Sequence, residues 1–177
     1  MVSSMPITPL HLGPGFLVKA VAGGRLSFTV FALSQVFMDV EVIARLVLGA
    51  DRLHGFSNTV LGATVVLLPA VLVGRPLCQS FIDWFTRNSS ASLGSFVNPE
   101  ERISWRAAWW GGVLGVYTHW FLDAMMHADA QALWPFIDNN PLINWLSIGQ
   151  VNLLSLLLII VGSIALGIAS VYYGRRT

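Results

Sequence analysis

The chain has 177 residues, of which 55% are hydrophobic and only 11% are charged, and its formal net charge is +1. A soluble domain typically carries about 25% charged residues, so this composition indicates a multi-pass membrane protein and excludes a disordered chain. The small net charge indicates no nucleic-acid partner, and the single Cys78 excludes an internal disulfide.

The apolar segments predict an all-α fold in which one transmembrane domain covers residues 1–177. About 20 mostly apolar residues are needed to cross the hydrocarbon core of a bilayer, and four stretches are predicted to do so. They lie at about 26–48, 58–73, 103–126 and 151–173. A further apolar stretch at 10–22 is too short to cross, and its Pro14 lies between two glycines. We expect it to form an N-terminal half-helix that dips into the membrane or lies against the bundle.

The positions of Lys and Arg predict the orientation of the chain. Four spans put both termini on one side, which then carries eight basic residues, whereas the other side carries only Arg45 and Arg52. Since cytoplasmic segments are enriched in Lys and Arg, we expect both termini and the loop at 74–101 to be cytoplasmic. Membrane lipids would surround the bundle.

Ionisable residues collect at the outer end of the third predicted span. His119, Asp123 and His127 are spaced at i, i+4 and i+8, which places them within an arc of about 80° on one helix face. Ionisable groups inside membrane spans are costly and usually functional. A column of two imidazoles and a carboxylate suits a divalent metal ion of the zinc type. The alternative interpretation is an Asp–His pair that ties helices together.

Two acidic residues of the first predicted span have different surroundings. Asp39 and Glu41 are two residues apart, so on a helix they point about 200° away from each other. Glu41 lies four residues before Arg45, in the acid-then-base order that favours a salt bridge. Asp39 has no basic residue three or four positions away, and its neighbour at i−4 is Gln35, which we expect to support it. Asp39 is therefore the predicted metal ligand of the two.

The order of the polar motifs over residues 6–136 resembles that of the bacterial membrane-bound metal-dependent hydrolases, the family typified by the YdjM-like inner-membrane proteins. The matching segments are PITPLHLGP at 6–14, DVE at 39–41, LH at 53–54, TVLGA at 59–63, THWFLD at 118–123, HAD at 127–129 and WPF at 134–136. Each motif alone is weak, but their order and spacing together are fairly specific.

The resemblance implies a helical bundle in the bacterial inner membrane that holds a divalent metal ion, with zinc expected. It also implies hydrolysis of an ester or phosphoester, and a site at bilayer depth suggests a lipid-like substrate. The implied metal ligands are His11, Asp39, His54, His119 and Asp123. The residues expected to act as general base, or to orient the other groups, are Glu41, His127 and Asp129.

One motif departs from the family pattern. Relatives usually have Arg after the histidine that corresponds to His54, and a second histidine close by, whereas this chain has Gly55 and Asn58. Loss of the Arg removes a clamp for phosphate or carboxylate, and loss of an imidazole weakens a metal site. The alternative function is therefore a non-catalytic accessory subunit that contacts other membrane protein subunits in a larger complex.

A transporter is a weaker third option, because four spans without a repeat leave little room for alternating access.

Overall fold

The computed structural model describes residues 8–88 and 102–174, which form helices joined by turns and short loops. Within these residues there are six α-helices, three short 3-10 helices and no β-strand, which confirms the all-α class. The α-helices are α1 (Gly13–Ala22), α2 (Phe28–Val47), α3 (Val60–Leu72), α4 (Gly74–Asn88), α5 (Trp105–Met126) and α6 (Ile148–Gly174). The 3-10 helices lie at Thr8–Leu12, Gly23–Arg25 and Phe56–Asn58.

In the described residues two helical segments are long and apolar enough to cross a membrane, so the prediction of four such spans was wrong. They are Val60–Asn88, in which α3 runs into α4, and Ile148–Val171 within α6. The predicted spans at 26–48 and 103–126 do form helices, α2 and α5. Polar residues distinguish these two helices from the segments that are apolar enough to cross a membrane. Three charged residues interrupt α2, and α5 combines polar residues with several glycines. Membrane association therefore rests on two helices, and the cytoplasmic location of the termini stays a prediction.

The N-terminal half-helix is present as α1, which packs along α6. Its ten residues span about 15 Å at 1.5 Å each, which is half the thickness of the hydrocarbon core. The predicted loop at 74–101 begins instead as the helix α4. Pro76 falls in the first turn of α4, where its missing N–H costs no helical hydrogen bond. The remainder of that predicted loop, at 89–101, lies outside the described residues.

Hydroxyl side chains fix the starts of the helices that carry the polar residues. Ser27 before α2, Thr59 before α3 and Ser104 before α5 each accept a hydrogen bond from the backbone N–H three residues later. The distances are 3.3, 2.9 and 3.1 Å, respectively. Such caps contribute about 1 kcal/mol each to helix stability. They also fix the position along the helix axis of every side chain that follows.

Glycines on one face of α5 let this helix approach α2 closely. A Cβ atom on Gly115 would overlap the Ser34 side chain, and one on Gly111 would lie 2.5 Å from the Ser27 carbonyl oxygen. Small residues allow two helix backbones to come close together in this way. The approach holds the polar face of α2 directly against the polar face of α5.

Candidate metal centre

Histidine and aspartate side chains from three segments meet at one end of α5, and all of them except Asp39 are buried. His119 and Asp123 lie one turn apart on α5, and both are buried. The Nε2 atom of His119 lies 3.0 Å from Asp123 Oδ2 and 3.3 Å from Oδ1 of Asp39 on α2. His11, in the 3-10 helix before α1, places its Nε2 3.9 Å from Asp123 Oδ1. Four of the predicted metal ligands therefore lie together, and we call His11, His119 and Asp123 the inner group.

Hydrogen bonds from α2 fix the orientation of the His119 ring. Gln35 Nε2 donates to the Gly115 carbonyl oxygen at 3.0 Å. This hydrogen bond orients the Gln35 amide so that Gln35 Oε1 lies 2.8 Å from His119 Nδ1. An amide oxygen only accepts hydrogen bonds, so His119 Nδ1 carries a proton. In the neutral ring, His119 Nε2 then carries no proton and presents a lone pair. That lone pair faces the oxygens of Asp39 and Asp123 without a hydrogen-bond partner among the described residues. The lone pair and the carboxylate oxygens repel each other. A cation between these atoms, or a second proton on the ring, is needed to offset this repulsion.

His11 is the second buried imidazole of the inner group. Neither of its ring nitrogens has a hydrogen-bond partner in the part of the chain that the structure describes. Burial lowers the pKa of His11 to about 4, although the Asp123 carboxylate opposes this shift. The ring is therefore neutral at pH 7, which is the form that binds metals. A buried polar atom without a partner costs about 1–3 kcal/mol, and coordination to a metal ion would remove that cost.

A second pair of histidines also lies beside Asp123. The rings of His54 and His127 stack with their centroids 3.9 Å apart and their planes inclined by 21°. His127, which caps the end of α5, places its Nε2 3.9 Å from Asp123 Oδ1. We call His54, His127 and Asp123 the outer group, because the His127 side chain is 13% exposed.

Asp129 holds His54 in place. One Asp129 oxygen lies 2.7 Å from His54 Nδ1, and the other accepts backbone N–H groups of Leu53 and His54, each at 3.0 Å. Burial opposes ionisation of Asp129, but the hydrogen bonds from His54 outweigh it and hold the pKa of this carboxyl well below its usual range. An ionised carboxylate only accepts, so His54 Nδ1 carries the proton and Nε2 is left as the ligand atom.

Both groups have the composition and spacing of a metal site. In each group, one ligand atom from every residue lies within 4.8 Å of the others. Zinc bonds to imidazole nitrogen and carboxylate oxygen are about 2.0–2.2 Å long, which places neighbouring ligand atoms about 3–4 Å apart. These buried clusters could therefore hold a divalent metal ion after small side-chain movements.

Glu41 is engaged away from both groups. Its Oε1 accepts from Arg45 at 2.8 Å and from the Phe56 backbone at 3.0 Å, and its Oε2 accepts from the Ser57 backbone at 2.6 Å. The pair with Arg45 is the i, i+4 salt bridge expected from the sequence. Glu41 thus ties α2 to the turn at Phe56–Asn58, which in turn positions the next residue of the site.

The amide of Asn58 contacts the carboxylate that the two groups share. Asn58 is buried, its Nδ2 donates to Asp123 Oδ2 at 2.6 Å, and its Oδ1 accepts from Ser57 Oγ at 3.2 Å. The sequence pattern does not predict this contact, although Asn58 lies where the motif departs from the family pattern. Gln35 was expected to support Asp39, whereas in the structure its amide contacts His119.

Arg45 fills the space beside Gly55. A Cβ on Gly55 would collide with Glu41 Oε1 and would lie 2.5 Å from Arg45 Nε and Nη2. A guanidinium group from α2 therefore stands next to the position where the family pattern has Arg. Arg45 and Arg52 line a pocket of about 200 Å³ together with Trp134. Arg52 donates through Nε to the backbone oxygens of His54, at 3.1 Å, and Asp129, at 2.8 Å.

Comparisons of the chain with models of protein families, with curated proteins and with solved structures found no match. The resemblance to the membrane-bound metal-dependent hydrolases therefore rests on the motifs quoted above.

Proposed function

We propose that this chain is an integral membrane hydrolase of the bacterial inner membrane that uses a divalent metal ion, zinc by the choice of ligands, to cleave an ester or phosphoester. The observation that carries the proposal is the environment of His119. Its Nδ1 is committed to Gln35, and its Nε2 faces Asp39 and Asp123. Imidazole nitrogen and carboxylate oxygen are the donors of catalytic zinc sites, which keep one position open for water or substrate.

The chemistry that the proposal requires is simple hydrolysis. A water oxygen forms a bond to the carbonyl carbon or phosphorus, the bond to the ester oxygen breaks, and that oxygen leaves with a proton. A bound zinc ion would lower the pKa of water to about 7 and polarise the ester. His11, His119 and Asp123 would hold the ion, with Asp39 beside them as the fourth predicted ligand.

The predicted catalytic residues contribute differently to such a site. Glu41 accepts three hydrogen bonds from its neighbours, and Asp129 orients His54. His127 lies nearest to the ion site and is partly exposed. Burial and the adjacent His54 ring lower the pKa of His127, so its ring is neutral at pH 7. Its Nε2 is thus able either to accept a proton from water or to bind metal.

A lipid-like substrate is consistent with the surroundings of the site. Large apolar side chains are exposed along the outer face of α6, such as Leu153, Ile160 and Ile164. An apolar cavity of about 460 Å³ lies between α1, α5 and α6, lined by residues that include Pro14, which follows His11 closely in sequence. Membrane lipids are therefore the substrate class to test first.

Metal content tests the proposal directly. The full chain would be purified in detergent after growth with zinc, and elemental analysis is expected to find at least one ion per chain. Asp123→Asn should lose it, whereas Asp138→Asn, which removes an exposed carboxylate elsewhere, should keep it. Wild-type protein should release fatty acid or a headgroup from phospholipid vesicles, and a chelator should stop this. A purified chain without stoichiometric zinc would overturn the proposal.

The second candidate function is the accessory subunit of a larger membrane complex. The observation that favours it is a cluster of exposed tryptophans at the start of α5, formed by Trp105, Trp109 and Trp110. Such side chains suit a protein partner or the membrane interface. Purification from the native membrane in a gentle detergent distinguishes the two, because a subunit should co-purify with defined partners and a hydrolase should not need them.

A further inference from the structure

The inner and outer groups meet at a single carboxylate. Asp123 Oδ1 lies 3.9 Å from the Nε2 atom of His11 in the inner group and 3.9 Å from the Nε2 atom of His127 in the outer group. Building on the proposed function, we propose that the chain binds two divalent ions rather than one. His54 and His127 would hold the second ion, and Asp123 would contribute to both sites.

The outer group is prepared to bind an ion. The Asp129 carboxylate fixes His54 Nδ1 as a donor, which leaves the Nε2 lone pair of His54 for a metal. Asp129 is itself held by two backbone N–H groups, so this orientation exists before any ion binds. A carboxylate–histidine–metal arrangement of this kind recurs in metal sites and raises the basicity of the ligand.

The charges around the cluster favour a second cation. The carboxylates of Asp39 and Asp123 lie against His119, and the carboxylate of Asp129 lies against His54. The nearby arginines are engaged elsewhere: Arg45 is paired with Glu41, and Arg52 donates through Nε to backbone oxygens. One divalent ion leaves a negative excess among the three carboxylates, and a second one offsets it.

The position of Asp123 also suits a pair of ions. In two-metal hydrolases the ions lie about 3.5–4 Å apart, and a carboxylate commonly lies between them. The inner group is buried, with side-chain exposures of 4% for both His11 and Asp123, whereas the outer group carries the partly exposed His127. His127 would then be a ligand of the second ion rather than a proton acceptor.

Metal titration of the full-length chain tests the second site. Metal-free protein in detergent, titrated with Mn²⁺, is expected to bind two ions and to give an electron paramagnetic resonance spectrum of two coupled ions. His127→Gln should reduce the stoichiometry to one and abolish the coupling. Asp129→Asn should weaken the outer ion about 10–100-fold through the orientation of His54. The exposed Asp138→Asn serves as control and should still bind two ions.

The outcomes separate this inference from the proposed function. Wild-type protein that saturates at one uncoupled Mn²⁺ and still hydrolyses lipid would overturn the second site and leave the hydrolase standing. Two coupled ions without hydrolysis of any ester would support the second site and count against the hydrolase. Failure to bind any ion would overturn both. The wild-type spectrum needs no substitution, so it decides the matter even where a variant does not fold.

Discussion

The inner and outer groups share Asp123 but differ in how their imidazoles are supported. In the outer group, Asp129 binds His54, and the ring of His127 reaches the surface. In the inner group, both nitrogens of His11 and the Nε2 of His119 are buried without a hydrogen-bond partner among the described residues. Asp129 satisfies His54 in the outer group, whereas His11 has no such partner in the described part of the chain and His119 faces two carboxylates that either a proton or a cation can satisfy. The inner group is therefore where a cation contributes most to stability.

The largest effect is expected from substitution of Asp123, the residue that the inner and outer groups share. Asp123→Asn keeps the size of the side chain but removes the charge, so both ions should be lost. Metal-dependent catalysis supplies several kcal/mol of transition-state stabilisation, so hydrolysis of phospholipid should fall by at least about 1,000-fold. Elemental analysis and a lipid hydrolysis assay measure the two effects. An unchanged metal content would show that Asp123 is a structural tie and not a ligand.

Metal removal should destabilise the chain through the inner group. Ligand binding at 100 times its dissociation constant stabilises the folded state by about 2.7 kcal/mol, which corresponds to a Tm change of roughly 5–10 °C for a chain of this size. We expect a chelator to lower Tm by that amount and zinc to restore it. In His119→Gln the chelator should have little effect, whereas in His127→Gln most of the shift should remain. Equal losses in the two variants would contradict the distinction between the groups.

Loss of the Gln35 side chain that orients His119 is expected to have a smaller effect than loss of the metal ion. Gln35→Leu removes the oxygen that holds the His119 ring, so the affinity for the inner ion should fall about 10–100-fold. Thr118→Val is the control, because it removes the 3.3 Å contact to the other end of the same amide and the bonds of the Thr118 hydroxyl to backbone oxygens of its own helix, but leaves the Gln35–His119 hydrogen bond in place. Isothermal titration with zinc measures both. If the two variants bind zinc equally well, the Gln35 contact does not orient the ring.

The sequence predicted those contacts that depend on one helix and missed those that depend on a turn. The i, i+4 spacing of His119 and Asp123 and the pair Glu41–Arg45 lie within α5 and α2, and both contacts are present. The contact of Asn58 with Asp123 depends on the 3-10 helix at Phe56–Asn58, which no periodic pattern marks.

The number of spans was overestimated for a related reason. Hydrophobic length alone treats α2 and α5 as membrane helices, but these two carry the polar residues of the site and pack against each other. The segments that are long and apolar enough to cross a membrane are α3 with α4, and α6. Composition averages the two kinds of helix, so it indicates a membrane protein without saying which helices cross the bilayer.

The last predicted effect, on stability rather than on metal affinity, concerns the turn that the sequence did not mark. Gly55→Ala adds a Cβ that would push into the Glu41–Arg45 pair, so the free energy of unfolding should fall by about 1–3 kcal/mol, as in overpacked sites. Gly167→Ala, whose added Cβ would meet no atom within 4 Å, should not destabilise the chain. Thermal unfolding in detergent compares the two variants. If Gly55→Ala unfolds at the wild-type temperature and binds zinc normally, Arg45 is free to move aside, and the pair does not fix the turn that brings Asn58 to Asp123.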